Sequence, residues 1–298
     1  MKIIRSAKSF QKTLEVCRQK GKSVGFVPTM GALHEGHIAL VKASKKQNDV
    51  TAVSIFVNPT QFGPNEDFHK YPRVLNQDSL LLKKAGVDYL FYPSVDEMYP
   101  PNCAFSVLPD SRAGFAQGLC AKFRPGHFEG VATVVTKLFN LSGACRAYFG
   151  AKDFQQTVVI KRLVQDLLLP VKVVVCPTIR EKDGLAMSSR NRYLSPQERI
   201  QAVTISRVLF ALKLSIESLA TQGQRLELLK KQAVQSLERE GLKVQYFEIA
   251  DSETLEKIET LRPKMIAATA CYAGKTRLID NVIIHAPQKR KISQTLKR

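Results

Sequence analysis

The sequence has few cysteines, and their spacing is not typical of a disulfide scaffold or a structural zinc site. Six cysteines in 298 residues are too sparse for a disulfide-dense secreted domain, and no two form a Cys-x-x-Cys pair. The sequence also lacks an amino-terminal apolar segment typical of signal peptides and an apolar run long enough to cross a membrane. These absences predict a soluble, reduced, cytoplasmic protein.

Three common nucleotide- or metal-binding motifs are also missing. No Gly-x-Gly-x-x-Gly fingerprint occurs, which argues against a standard dinucleotide site. The segment Gly274-Lys275-Thr276 resembles the end of a P-loop, but Thr269 stands where that motif needs its first glycine. The segment from His34 to His37 is one residue too short for the zinc-protease pattern, so we predict no protein-held metal.

Acidic residues are scarce relative to basic ones. The chain has 45 Lys and Arg but 26 Asp and Glu, which gives a formal net charge of +19. The excess is diffuse, because residues 1–178 carry 23 basic and 13 acidic side chains and residues 179–298 carry 22 and 13. This distribution favours attraction of small anionic substrates over a nucleic-acid groove. Nucleic-acid binding stays as an alternative, which a steep salt dependence of binding would support.

Alternating apolar and amphipathic segments predict the fold. Strands are expected at residues 1–5, 24–27, 50–57, 87–92, 147–149 and 171–176, with helices at 34–46, 75–85, 131–141 and 154–168. This alternation predicts an α/β domain over residues 1–178, with a doubly wound, Rossmann-like parallel sheet. Residues 179–285 are expected to form a smaller α+β domain, with helices at 196–221 and 225–240 and strands at 244–249, 267–272 and 276–284. The basic tail 286–298 is expected to be disordered.

Three polar loops follow predicted strands, at residues 28–37, 58–73 and 150–156. Parallel sheets bind ligands beyond the carboxyl ends of their strands, so we expect these loops to gather there. The first loop leads into a helix whose unpaired N–H groups and dipole favour phosphate, with His34 and His37 on one face. Gly31 and Gly36 let the backbone approach a ligand. The sequence therefore predicts a phosphate site here.

A second polar element is Met187-Ser188-Ser189-Arg190, whose hydroxyls and guanidinium suit triphosphate oxygens. Alone it would be an ordinary polar loop. Together with the His-x-Gly-His element it resembles the two signatures of the adenylyl-transferring superfamily that includes class I aminoacyl-tRNA synthetases. A synthetase of that class would also need an anticodon-binding region, for which this chain is too short.

Longer segments narrow the resemblance to the pantoate–β-alanine ligase family. The similarity runs from about Ile3 to Ile284, and the motifs follow the order of that family. The segments that carry it are FVPTMG (26–31), SIFVNPTQF (54–62), RPGHFEGV (124–131), YFGAKDFQQ (148–156), the stretch 183–194 and GKTRLIDN (274–281).

The resemblance implies a two-step ligation in pantothenate (vitamin B5) and coenzyme A biosynthesis. (R)-Pantoate and ATP, with Mg²⁺, would give a bound pantoyl adenylate and pyrophosphate. β-Alanine would then attack the adenylate and release pantothenate and AMP. The substrates supply both nucleophiles, so the protein needs to supply positioning and charge stabilisation. The family also implies a homodimer.

Matching positions imply the ATP site. His34 and His37 would donate to the phosphates, and the family gives the second histidine a proton-donor role. Lys152 would neutralise charge on the α-phosphate and pyrophosphate, while Ser188, Ser189 and Arg190 would close over the β- and γ-phosphates. The remaining implied ATP contacts are Gly150 and Asp153 on the ribose side, Ile179 and Met187 near the adenine, and Met30 and Gly31.

Matching positions also imply the pantoate site. Gln61 and Gln156 would hold the hydroxyls and the carboxylate of pantoate, since amides orient an anion without pairing its charge. Gln61 would also lie near the β-alanine amine. The wall of this pocket would come from Pro28, Thr29, Met30 and Asn58. A nucleotidylyltransferase acting on a phosphorylated acceptor is the enzymatic alternative, but it would need basic groups in place of the two glutamines.

Some features lie outside these assignments. Residues 62–72 form a long irregular loop, which we predict to be a gate that shields the adenylate from water; a mobile surface loop is the alternative. Arg124 and His127 receive no role from the sequence. Ala151 stands where the family commonly has Glu or Gln, and we expect little effect because the backbone there is the important part.

Overall fold

A computed structural model describes residues 1–64, 66–218 and 226–286. Its first sheet has six parallel strands in the spatial order β1-β4-β3-β2-β5-β6. The chain winds outward from β2 in one direction and from β5 in the other, so the topological switch lies between these neighbours. The six strands are β1 (Lys2–Ile4), β2 (Val24–Thr29), β3 (Val50–Ile55), β4 (Tyr89–Phe91), β5 (Cys145–Gly150) and β6 (Val171–Cys176).

Apolar stripes on the helices cover both faces of this sheet. One core contains Phe10 and Leu14 with the buried face of residues 127–142, and the opposite core contains Val41 and Leu82. The helices around the sheet are α1 (Ala7–Gln19), α2 (Glu35–Gln47), α3 (Leu75–Lys84), α4 (Val95–Met98), α5 (Gly114–Gln117), α6 (Cys120–Phe123), α7 (His127–Ser142) and α8 (Phe154–Asp166).

The rest of the described chain packs two helices on a three-stranded antiparallel sheet. A capping box fixes the start of the first helix, because Ser195 and Glu198 each accept the other's backbone N–H. These elements are α9 (Pro196–Glu217), α10 (Leu226–Arg239), β7 (Lys243–Asp251), β8 (Lys264–Ala273) and β9 (Thr276–His285).

This architecture confirms the predicted doubly wound parallel sheet and the smaller α+β part that follows it. Several predicted boundaries were wrong by two residues or more: β2 continues through Pro28 and Thr29, α7 begins at His127 instead of Val131, and β8 begins at Lys264 instead of Ala267. Strands β5 and β7 are also longer than predicted, and β3 is shorter. Helix α1 and the short helices α4, α5 and α6 were not predicted. Residues 287–298, which make up most of the predicted disordered tail, lie outside the described residues.

Within the described ranges, none of the helices combines the length and the apolar composition that a membrane crossing needs.

Candidate active site

The predicted site residues converge on one cleft at the carboxyl ends of β2 and β5, beside the topological switch. Every one of them except Gly31 lines this cleft. Sequence reasoning gave no binding or catalytic role to several other lining residues. They include Phe62, Tyr71, Arg124, His127, Pro177 and Thr178.

His34 and His37 form an interlocked pair at the start of α2. The Gly36 N–H donates to His34 Nδ1 at 3.1 Å, and the His34 N–H donates to His37 Nδ1 at 3.3 Å. Because both Nδ1 atoms accept, each neutral ring carries its proton on Nε2. The ring centroids lie 4.1 Å apart, so the two rings also pack against each other.

Two backbone groups of this helix start differ from the sequence prediction. The Gly36 N–H donates to the His34 ring, and the His37 N–H donates to the His34 carbonyl at 2.8 Å. The prediction that unpaired N–H groups would meet phosphate was therefore wrong for these two residues. The reason is local, because the His34 ring accepts the Gly36 N–H as an N-cap and the His34 carbonyl accepts the His37 N–H. Ring N–H groups remain for an anion.

Both rings are neutral at pH 7. Burial, and after it the Lys152 ammonium, lowers the pKa of His34 to about 4. Burial and the neighbouring His34 ring lower the pKa of His37 to about 3. The pair therefore offers hydrogen-bond donors without adding positive charge, and Lys152 supplies a cation beside it.

The turn between β2 and α2 is held by a carboxylate that sequence reasoning missed. Asp78 of α3 accepts the Ala32 N–H at 2.9 Å and the Leu33 N–H at 2.8 Å. Gly31 has a φ of +82°, and a Cβ there would stand 2.9 Å from Ile55. Gly31 therefore shapes the turn that presents Met30 and His34 instead of lining the cleft. A lone polar residue in a helix gives no sequence signal for such a contact.

The side-chain amide of Asn58 orients Gln61. The Asn58 Nδ2 atom donates to Gln61 Oε1 and to the Gly130 carbonyl, both at 3.1 Å. Its Oδ1 atom accepts from Thr60 Oγ1 at 3.0 Å and from Tyr99 OH at 2.8 Å. Asn58 is 1% exposed and has used its full hydrogen-bonding capacity, so it holds Gln61 in place.

Gln61 is left with its donor end facing the cleft wall. Its Nε2 atom lies 3.0 Å from the sulfur of Met30, which is a weak acceptor. Gln156 also lines the cleft, and within the described ranges its amide has no hydrogen-bond partner. Two amide groups are thus available to a polar ligand. The adjacent Gln155 serves the fold instead, since it accepts the Cys120 N–H and donates to the Phe115 and Gly118 carbonyls.

Arg124 and His127 fix the backbone of Gln61. The His127 Nδ1–H donates to the Gln61 carbonyl at 2.8 Å, and its Nε2 accepts from Arg124 at 2.8 Å. Burial, and after it Arg124, lowers the pKa of His127 to about 4, so this ring is also neutral. Arg124 also donates to both carboxylate oxygens of Glu66, each at 2.6 Å. The two residues therefore tie Gln61 to the loop that follows it.

The described residues of the 62–72 loop, which are 62–64 and 66–72, lie at the cleft and contact both parts of the protein. Its Glu66 pairs with Arg124, and its Asp67 pairs with Arg190 through contacts of 3.1 and 2.7 Å. Phe62 and Tyr71 line the cleft, with ring centroids 6.0 Å apart. A loop held by two forked ion pairs on opposite sides is placed to cover the cleft.

The segment after β6 brings the second signature to the opposite wall. Residues 179–187 form a short hairpin, in which the Met187 N–H donates to the Ile179 carbonyl at 3.0 Å. A short turn of 3-10 helix then carries Ser189 and Arg190. Lys152 lines the same cleft, with its ammonium 3.7 Å from the Asp153 carboxylate. Hydroxyls, cations and neutral imidazoles thus surround one region, as a triphosphate requires.

Comparison with known proteins identifies the family. The model of the Pantoate-beta-alanine ligase family matches residues 2–283. The chain belongs to the pantoate–β-alanine ligase family. It is 51% identical to a pantothenate synthetase of Thermotoga petrophila over 95% of this chain and the whole of that protein. It is 50% identical to one from Sulfurihydrogenibium sp. over 95% of this chain and 99% of that protein.

Solved structures of the pantoate–β-alanine ligase family share the fold. The Thermus thermophilus pantothenate synthetase superposes with a TM-score of 0.87 and 42% identity, covering 95% of this chain and 99% of that one. A Francisella tularensis pantoate–β-alanine ligase, complexed with β-γ ATP and β-alanine, has a TM-score of 0.77 and 39% identity. That match covers 95% of this chain and 97% of the Francisella chain.

Proposed function

We propose that this chain condenses (R)-pantoate with β-alanine, using ATP and releasing AMP and pyrophosphate. The observation that carries the proposal is the arrangement of the cleft. Its phosphate side offers the His34–His37 pair, Lys152 and the Ser188–Arg190 segment, and its other side offers the amides of Gln61 and Gln156. A neutral amide pocket beside a cationic phosphate pocket suits activation of a polar carboxylate.

In the first step, a carboxylate oxygen of pantoate bonds to the α-phosphorus and the bond to the pyrophosphate oxygen breaks. The negative charge that moves onto pyrophosphate would meet Lys152 and Arg190. Neutral His34 and His37 would each donate one Nε2–H to a phosphate oxygen. Gln61 and Gln156 would hold the acid in line without neutralising its carboxylate.

In the second step, the β-alanine amine attacks the acyl carbon, and the carbon–oxygen bond to AMP breaks. The amine loses one proton to solvent as the amide forms. Gln61 is fixed by Asn58 and by His127 at the junction with the 62–72 loop. Its position supports a role in guiding the incoming amine.

The loop of residues 62–72 would protect the adenylate from hydrolysis. It would keep water from a mixed anhydride, which hydrolyses when exposed. Its two forked ion pairs, from Glu66 to Arg124 and from Asp67 to Arg190, would hold it over the cleft. Residues 179–285 would act with it as a lid that carries the Met-Ser-Ser-Arg segment over the phosphates.

Magnesium would enter as MgATP. Within the described residues no group of three or more His, Cys, Asp and Glu side chains forms a metal cage. Mg²⁺ bound with nucleotides takes phosphate oxygens and water as its main ligands, and the cationic and hydroxyl groups of the cleft fit such a complex. We further propose a cytoplasmic homodimer, whose mass in solution light scattering would measure.

Pyrophosphate–ATP exchange without β-alanine tests the proposed function. We expect exchange that requires pantoate, and AMP release once β-alanine is added. Absence of exchange in a folded protein that binds ATP would overturn the proposal. In that case, activity with phosphorylated acceptors would test the nucleotidylyltransferase alternative. Salt-dependent binding to generic nucleic acid would test the nucleic-acid-binding alternative.

A further inference from the structure

The last strand carries two buried polar residues whose side chains reach beyond their own sheet. Asp280 and Asn281 of β9 are 4% and 7% exposed. They end the segment 274–281, which carries part of the family resemblance. Neither residue has a part in the two reaction steps.

Asn281 binds the turn that holds Lys152. Its Nδ2 atom donates to the Ala151 carbonyl at 3.0 Å and to the Lys152 carbonyl at 2.8 Å. These carbonyls belong to the turn between β5 and α8, in the first sheet. A buried amide that uses both N–H groups on two successive carbonyls sets the position of that turn relative to β9.

Asp280 binds the opposite wall of the cleft. Its carboxylate accepts both arms of the Arg180 guanidinium, at 2.7 and 2.9 Å. Arg180 belongs to the hairpin of residues 179–187, next to Ile179. The same carboxylate accepts the Asn281 N–H at 2.7 Å. Adjacent residues of one strand therefore hold both the Lys152 turn and the hairpin.

We propose that Asn281 is a positioning residue that places Lys152 for adenylation, with Asp280 setting the hairpin across the cleft at a matching distance. This inference rests on the proposed function. The Lys152 side chain projects from a turn whose first two carbonyls are fixed by the second sheet. The docking of that sheet therefore determines where the ammonium stands relative to the phosphates.

The test compares Asn281→Asp with the wild type in pantoate-dependent pyrophosphate–ATP exchange. The aspartate keeps the shape but replaces both N–H donors with an oxygen that faces two carbonyl oxygens. We expect kcat to fall by about 10²-fold, the scale of a displacement of about 1 Å in a catalytic group. The KM for ATP should change far less, because the lost interaction belongs to the transition state.

A double-mutant cycle shows whether Asn281 acts through Lys152. Asn281→Ala should lower kcat in the wild type but cause little further loss in a Lys152→Ala background. Additive losses would overturn the proposal, as would an Asn281→Asp enzyme with wild-type kcat. Loss of exchange in the wild type would instead count against the proposed function.

Thr269→Val is the matched control for stability. Thr269 lies on β8, is buried, and donates its hydroxyl to the Tyr246 carbonyl at 2.7 Å. Among the described residues it has no hydrogen bond to the Lys152 turn. We expect Tm to fall for both Thr269→Val and Asn281→Ala, with kcat retained only in the first. If Thr269→Val lost kcat to the same extent, the effect of Asn281 would be one of general stability.

Discussion

His37 and His127 are held in opposite tautomers by their surroundings. His37 accepts at Nδ1 and keeps its proton on Nε2, whereas His127 donates from Nδ1 to a carbonyl and accepts at Nε2 from Arg124. The first ring thus presents a donor at the cleft, and the second has used both nitrogens on the scaffold. Two histidines of one cleft therefore have different functions because their hydrogen bonds differ.

The buried neutral histidines predict loss of stability in acid. An unfolded histidine binds its proton near pH 6.5, whereas folded His127 does so near 4, so lowering the pH across this window favours the unfolded chain. We expect the free energy of unfolding to fall on acidification between these values. The free energy of unfolding should change by at most about 1.4 kcal/mol per pH unit for each proton that the unfolded chain binds in excess of the folded one.

Urea unfolding at several pH values measures this slope. His127→Gln keeps a donor for the Gln61 carbonyl and removes one titrating ring, so its slope should be shallower than that of the wild type. His285 is exposed and shows no such burial, which makes His285→Gln the matched control. Equal slopes for wild type and His127→Gln would contradict the assignment.

At the scale of elements, the contact between α7 and the turn of residues 59–61 determines where Gln61 lies. A Cβ on Gly130 would stand 2.3 Å from the Thr60 carbonyl oxygen and 2.6 Å from the Gln61 nitrogen. These neighbours are backbone atoms, so they cannot rotate away. Glycine is required here because the helix and the turn approach so closely.

Gly130→Ala should therefore damage binding as well as stability. We expect a cost of about 1–3 kcal/mol from overpacking. We also expect kcat/KM for pantoate to fall by roughly 10- to 100-fold as Gln61 moves. Gly118→Ala is the control, since its Cβ would find its nearest neighbour at 3.9 Å. Unfolding curves measure the loss of stability, and steady-state kinetics measure kcat/KM for pantoate. An unchanged kcat/KM for pantoate would contradict the role of Gly130 in placing Gln61.

The loop of residues 62–72 gives a second prediction at this scale. Glu66→Gln and Asp67→Asn together remove both forked ion pairs, so the adenylate should hydrolyse faster when β-alanine is omitted. AMP release in the presence of pantoate and ATP measures this rate. Asp110→Asn breaks an exposed pair with Arg112 and should leave the rate unchanged. A double variant with the wild-type hydrolysis rate would remove the gating role.

Local signals account for the elements that sequence analysis found, and long-range contacts account for those it missed. The β-branched run of β3 and the Ser195 cap of α9 are visible in the sequence. Phe10, Leu14 and Cys17 also have helical spacing, but the surrounding lysines obscured α1. The start of α7 carried no capping signal, because its N-cap is Gly126 with a φ of +77°.

The candidate site divides in the same way. Motifs identified the side chains that line the cleft, because motif residues stand together in the sequence. The residues that hold them come from distant elements: Asp78 reaches Ala32, Tyr99 reaches Asn58, and Asn281 reaches Lys152. A single sequence contains no record of such pairs, since each depends on how the elements pack.

At the scale of the whole molecule, the net charge of +19 attracts anionic substrates. A diffuse positive field raises their local concentration and accelerates encounter, and salt screens it over about 8 Å at physiological ionic strength. We expect kcat/KM for pantoate to fall as sodium chloride is raised. β-Alanine has no net charge near pH 7, so its kcat/KM should change little, and equal salt slopes for both substrates would contradict this explanation.

The pairing of β2 with β5 also has a consequence for how the protein is made. These neighbours stand more than a hundred residues apart in the sequence, and β9 follows after another hundred. During synthesis, the His34–His37 segment leaves the ribosome long before the strand that leads to Lys152, and Asn281 emerges last. A nascent chain therefore carries an incomplete nucleotide pocket for most of its translation, and the turn that holds Lys152 meets its partner Asn281 only when β9 has been made.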